Sequence, residues 1–333
     1  MKVAVRWSGG DPSTFEVDVN GDATVCELKR AIELRTSVKS SRVKLLNVRA
    51  GAKLASDEDI LTTLKMPKTV MMMGVRESAL AAMRESEAVA EANAPEMEDD
   101  LDETSSREVA ASCATDERFL AKLRNRIASA SMKVLREPRV GAKCLVLDID
   151  YTLFDHRTTA ETPEEIMRPH LHEFLTRAYE AGYDLVIWSA TSLKWIELKM
   201  TELGVLTSES FKVVGLIDST AMITVETAKY GLFNCKPLGF LFAKLPQYTP
   251  KNTLMFDDLS RNFVMNPQLG LKIRPFRNAH THRATDRELL GLARYVEAIS
   301  KLEDFSGLNH NRWESYLAKR DRTRSYAIAK RHR

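Results

Sequence analysis

The chain has 333 residues, 44% of them hydrophobic, and a formal net charge of +3 at pH 7. That length suits two or three domains with a sizeable core, and the near balance of acidic and basic residues does not demand nucleic acid. The four cysteines (Cys26, Cys113, Cys144, Cys235) are scattered with no CxxC pair, which argues against a disulfide scaffold or zinc site and fits a reducing compartment; the N-terminus lacks the apolar stretch of a signal peptide, and no run of ~18 apolar residues predicts a membrane span.

Residues 1–75 read as one unit. Val3, Val5 and Trp7 alternate, as do Phe15, Val17 and Val19, so two strands joined by SGGDPS form a hairpin. Asp22 or Thr24 caps a following helix, with Leu28, Ile32 and Leu34 partly buried. A strand around VKLLNV, a helical turn near DEDILTTL and a last strand in TVMMMG complete an α+β order, that of the β-grasp fold. The segment resembles ubiquitin in length and order, though it runs on through GVRESALAA with no terminal Gly-Gly. Period-two alternation points Leu45, Val70 and Met72 inward and Leu46, Met71 and Met73 outward. An outer Leu/Met patch is a docking surface, or else a cover for a core.

Residues 76–137 change character. An Ala/Glu-rich stretch and the acidic run EMEDDLDE predict a helical or disordered linker, and Phe119, Leu120, Leu123 and Ile127 at helical spacing predict a helix leading into the next domain.

The chemistry begins in residues 138–305. Leu145, Val146 and Leu147 form a short apolar run, suited to a central parallel strand buried on both faces. It stops at Asp148-Ile149-Asp150-Tyr151-Thr152. Ligands of α/β sheets bind at the carboxyl ends of strands, so both carboxylates stand where a substrate would sit. A second apolar run, Leu185–Trp188, ends at Ser189-Ala190-Thr191, where a hydroxyl and backbone N–H groups can hold phosphate. The helix after it presents Leu193, Ile196, Met200 and Leu203 and stops at Gly204. FKVVGLID predicts a further strand, and MITVETAKYG a small β-insertion. Lys236, in CKPL, would neutralise charge on a phosphoryl group, with Lys229 and Lys244 as nearby competitors. A third run, Thr253–Phe256, ends at Asp257-Asp258, whose oxygens suit a hard cation such as Mg²⁺.

The DxDxT motif is that of the haloacid dehalogenase (HAD) superfamily, an α/β fold with a Rossmann-like parallel sheet. The form DIDYTLFDH, followed by MRPHLHEFL, resembles the FCP/SCP-type phosphatases. The resemblance implies Asp148 as nucleophile, Asp150 as acid and base, Thr191 (Ser189 second) and Lys236 as phosphate ligands, and Mg²⁺ held by Asp148, the main-chain oxygen of Asp150 and Asp258, with Asp257 holding water or orienting Lys236. The usual Asp-Asn is Asp-Asp here, which leaves open which of the two reaches the metal. The ubiquitin-like front extends the likeness to the ubiquitin-like-domain-containing CTD phosphatases. That family implies a phosphoserine/phosphothreonine protein substrate, the nuclear proteasome, docked at its regulatory particle through the ubiquitin-like domain. The RNA polymerase II C-terminal domain is the alternative substrate, and a phosphopeptide-binding adaptor without turnover is the alternative class.

His170 and His172, two apart on a helix, do not face one way and make no metal pair. His156 is a loop residue or a substrate contact, Tyr151 and Phe154 wall a cleft or pack, and His280 and His282 lie in a basic loop. Residues 306–333 form a basic helix or tail in which Trp313, Tyr316 and Leu317 share a face, so it docks onto the enzyme domain. Its charge serves a nuclear signal, an acidic partner or a solvated face, and no nucleic-acid reader motif accompanies it.

Overall fold

The computed structural model describes residues 1–7, 12–51, 53–74, 76, 78, 113–227 and 231–331. The chain divides into two compact units, Met1–Met97 and Glu98–Arg333. Most of the expected linker, the tip of the SGGDPS turn and Lys229 lie outside the described residues.

In the first unit, strands β1 (Lys2–Trp7) and β2 (Thr14–Asp18) pair antiparallel. Helix α1 (Val25–Thr36) starts at a capping box: Thr24 accepts from the Glu27 amide, and the Glu27 carboxylate accepts from the Thr24 amide at 2.7 Å. Such a cap contributes ~1 kcal/mol. Short strands β3 (Lys44–Leu45), β4 (Arg49–Ala50) and β5 (Lys53–Leu54) follow, then β6 (Val70–Met73). The main sheet runs β2-β1-β6-β3, with β1 and β6 parallel, and α1 shares its core through Leu28 and Ile32. Leu34, expected to be partly buried, is 90% exposed. At 100° per residue it lies on the side of α1 opposite Leu28 and Ile32. Leu45, Val70 and Met72 are buried, Met71 is exposed, and Leu46 and Met73 are half-buried, so the alternation along β6 turns as read.

The second unit is built on a six-stranded sheet. Helix α2 (Glu117–Ser129), capped by Asp116, leads into β7 (Lys133–Val134). Then come β8 (Lys143–Leu147), the short α3 (Pro163–Ile166), α4 (Leu171–Glu180), β9 (Tyr183–Trp188), α5 (Leu193–Glu202) and β10 (Val213–Ile217). An antiparallel hairpin, β11 (Ile223–Thr227) and β12 (Gly231–Cys235), is inserted before α6 (Gly239–Lys244), β13 (Thr253–Asp257) and β14 (Gly270–Lys272). The chain closes with α7 (Ala279–His282), α8 (Glu288–Ile299) and α9 (Trp313–Arg331). Sheet order is β14-β13-β8-β9-β10-β7, parallel except for β7, which pairs antiparallel with β10. From β8 the chain builds outward to β9 and β10, then returns to lay β13 on the other side of β8. Ligands of such sheets bind at this switch in direction.

Both sheet faces are covered. Leu145, Leu147, Leu185 and Phe256 pack with α4 and α8, while Val146, Val186 and Met255 pack with α6 and the inner side of α2. Trp313 and Leu317 of α9 are buried in the first of these layers, and Tyr316 packs against it. Gly204, at φ +73, ends α5 in the left-handed region that a glycine tolerates best.

Candidate active site

Asp148 follows β8 while the strand is still bonded to its neighbour: its amide donates to Phe256 O at 3.0 Å. The chain then turns sharply. Ile149 O accepts from Leu153 N at 2.8 Å, and Tyr151, at φ +56, donates to Phe154 O at 2.8 Å. A non-glycine residue in that region stores about 1–3 kcal/mol. Surrounding contacts hold the turn. Tyr151 O accepts from Phe276 N at 2.7 Å, and buried Arg168 donates to Thr152 O at 3.2 Å while gripping both Asp286 oxygens at 3.2 and 2.9 Å.

Lys236 lies just beyond β12 and is fully buried. Its Nζ donates to Asp148 Oδ1 at 2.5 Å and to Asp257 Oδ2 at 2.6 Å. Asp257 Oδ1 accepts from Leu259 N at 2.9 Å and from Asn262 Nδ2 at 2.7 Å. Both oxygens of Asp257 are therefore engaged by protein donors. Asp148, Asp257 and Asp258 offer carboxylate oxygens within 4.8 Å of one another, and all three are buried. Burial pushes the Asp148 carboxyl well above the usual range; Lys236 opposes this, while Asp257, Asp150 and Asp258 add to it. Burial, then Asp257, pushes Asp258 up to about 7. Burial works to lower the Lys236 ammonium, but Asp148 and Asp257 outweigh it and hold it above its ordinary value.

Residues 143–306 match the NLI interacting factor-like phosphatase family. A protein from Arabidopsis thaliana named ubiquitin-like domain-containing CTD phosphatase is 48% identical over 317 residues, covering 95% of this chain and 90% of its own. The Xenopus tropicalis and Homo sapiens proteins named ubiquitin-like domain-containing CTD phosphatase 1 are each 46% identical, covering 96% of this chain and 98% of theirs. The chain belongs to the ubiquitin-like domain-containing CTD phosphatases. It is thus a protein phosphatase of the FCP/SCP type, and the clustered acids lie inside its matched phosphatase domain.

The structure of this phosphatase brings Asp148, Lys236, Asp257 and Asp258 together. Lys244 points elsewhere, donating to Ile127 O at 2.7 Å. Asp150 sits two residues along the turn, half-buried, with His156 Nδ1 3.7 Å from its Oδ1. Ser189 and Thr191 lie past the end of β9, the neighbour of β8, with their hydroxyls 3.0 Å apart. Thr191 is the more exposed of the two and stands just before α5, whose cap Ser192 accepts from Trp195 N at 3.4 Å. His172 Nε2 bonds Leu203 O at 2.8 Å while His170 Nδ1 lies 3.2 Å from Glu173 Oε2, so the two rings have separate partners. Leu46, Met71 and Met73 belong to the other unit.

Sequence reasoning missed four residues. Arg168 and Asp286 brace the turn, Asn262 orients Asp257, and buried Asp155 accepts from Ala279 N at 2.9 Å, tying the loop after the turn to α7. Arg168 stood in the MRPHLHEFL segment, where an arginine beside a helix-start proline was the available signal. The other three act across 5 to 124 residues of sequence and left no local pattern.

Proposed function

We propose that the chain is a Mg²⁺-dependent protein serine/threonine phosphatase that works through an aspartyl phosphate on Asp148. The observation that carries this reading is the buried Lys236 fixed between Asp148 and Asp257 at the carboxyl ends of adjacent strands. The donor set fits a metal. Three ionised carboxylates and one ammonium leave two negative charges in a nearly dry pocket, which is costly without a cation. All side-chain donors are oxygen, which suits a hard ion. Asp148 and Asp258 would hold it with the main-chain oxygen of Asp150, because the oxygens of Asp257 are taken up by Lys236, Leu259 and Asn262. When bound, Mg²⁺ neutralises charge between the incoming phosphate and the carboxylates.

The chain's own residues then divide the work. Lys236, bonded to Asp148, works against burial in favour of the ionised form, and the cation adds to that, so that a carboxylate oxygen can attack phosphorus. Asp150, on the more exposed side of the turn, gives its proton to the leaving serine or threonine oxygen. The same carboxylate takes a proton from the water that cleaves the aspartyl phosphate. Lys236 and Thr191 hold the phosphoryl oxygens as charge moves onto the leaving oxygen. Hydrolysis of a phosphoserine peptide and of p-nitrophenyl phosphate, with and without Mg²⁺, tests this. Activity that survives Asp148→Asn, or that needs no divalent ion, would refute it.

The substrate reading is a phosphoprotein of the nuclear proteasome, recruited at the regulatory particle. A separate ubiquitin-like unit with exposed Met71 and half-buried Met73 on β6, and half-buried Leu46 just after β3, supports a docking role. Trapping partners on the Asp148→Asn protein tests it, with recovery of proteasome subunits expected and their absence counting against it. The relatives' names carry the words CTD phosphatase, so a phosphorylated RNA polymerase II C-terminal-domain peptide is the second substrate to assay.

A further inference from the structure

The rim beside Asp150 is made by two loops fastened to one another. Tyr151 O accepts from Phe276 N at 2.7 Å, Asp155 Oδ2 from Ala279 N at 2.9 Å, and Thr159 O lies 2.9 Å from His280 Nε2. Segment 276–280 is thereby locked onto segment 151–159. At the centre of this seam the Arg277 guanidinium lies over the Tyr151 ring, 4.5 Å from its centroid. The His156 ring meets the same tyrosine at 4.4 Å, and its Nδ1 is 3.7 Å from Asp150. Arg277 is exposed, and its charge reaches Asp258 as well, pulling against the burial of that acid.

Other arginines of this region are committed elsewhere. Arg168 grips Asp286, Arg274 pairs with Glu288 and Glu314, and Arg283 donates to the carbonyls of Glu164 and Met167. Among the described residues no carboxylate pairs with Arg277. Stacking on Tyr151 uses only the face of the guanidinium. Because Arg277 is exposed, its N–H groups are accessible to a carboxylate, which a guanidinium engages with two parallel bonds in its plane. Stacking also restrains a long side chain, which lowers the entropy lost when it binds.

We infer that Arg277 is a specificity-determining residue that reads an acidic side chain flanking the phosphorylated residue of the substrate. The position follows from the chemistry proposed above, on which this inference rests: the leaving oxygen lies towards Asp150, so the polypeptide carrying it crosses the Asp150–Tyr151 rim. An arginine held there meets the neighbouring side chain, whereas Lys236 and Thr191 meet the phosphoryl group.

The test compares two phosphoserine peptides, one with glutamate on both sides of the phosphoserine and one with alanine, assayed with Mg²⁺ on the full chain. The wild-type protein is expected to favour the glutamate peptide by about tenfold in kcat/KM, the scale of one partly exposed charge-assisted bond. Arg277→Gln is expected to bring the ratio close to one, and Arg277→Lys to keep part of it. Equal turnover of both peptides by the wild-type protein overturns the inference, as does an Arg277→Gln protein that slows both equally. If neither peptide is hydrolysed, it is the proposed phosphatase reaction that has failed.

Discussion

At the residue scale the informative pair is Asp257 and Asp258, identical in chemistry and different in surroundings. Asp257 is anchored by Lys236, Leu259 and Asn262, while Asp258 turns a buried carboxyl with a raised pKa towards Asp148. Asp258→Asn should therefore weaken Mg²⁺ activation at least tenfold, read from the Mg²⁺ dependence of turnover. Asp257→Asn should instead lower kcat by roughly 10–100-fold at saturating Mg²⁺, because it loosens Lys236. If the two variants behave alike, this division of labour is wrong. The pH dependence follows from Asp258 at about 7. A metal needs the ionised carboxylate, so apparent Mg²⁺ affinity should rise by up to about tenfold per pH unit below 7 and level off above it. The same shift acts on stability. A folded-state pKa above the unfolded value favours the folded protein below the unfolded pKa, and that contribution is lost as pH rises through about 7. Denaturant melts of the metal-free protein should show this loss between about pH 4 and 7, and saturating Mg²⁺ should reverse it. That Asp148, Asp150 and Thr191 stand just past the ends of buried strands was legible, because each follows an apolar run. The split between Asp257 and Asp258 was not, since it depends on Lys236, 21 residues back, and Asn262, 5 residues ahead.

At the scale of elements, the strands that carry the motifs announced themselves by continuous apolar runs, which is how strands buried on both faces read. Edge strand β7 did not, because its two residues are exposed and its identity comes from pairing with β10, some eighty residues later. The hairpin β11–β12 was legible from its alternation, and Ile223, Val225 and Phe233 lie buried beneath it. Helix α9 was placed correctly from three residues, and its docking gives a sharp test. A Cβ at Gly291 in α8 would lie 2.6 Å from the Trp313 ring. Gly291→Ala should therefore destabilise the second unit by ~1–3 kcal/mol through overpacking, despite alanine's better helix propensity. Trp313→Ala should cost about 3–5 kcal/mol by leaving a cavity. In the double variant the clash has no partner, so its loss should fall short of the sum. Thermal melts decide, and strict additivity would mean that the two residues do not share this contact.

At the scale of the whole molecule, each unit has its own core, so the chemistry and the docking surface should separate. Deleting residues 1–75 is expected to leave p-nitrophenyl phosphate turnover within about twofold and to abolish partner capture. A collapse of small-substrate turnover would instead make the ubiquitin-like unit part of the catalytic body. The sheet order also bears on how the protein is made. Strand β8 lies between β9 and β13, yet β13 follows it by about a hundred residues. At about 5–20 residues per second, a nascent chain presents one edge of this apolar strand unpaired for roughly 5–20 s. Such an edge is a template for wrong pairing. The strand that leads to Asp148 thus needs shielding on the ribosome, and a message truncated before residue 253 would yield a product prone to aggregate.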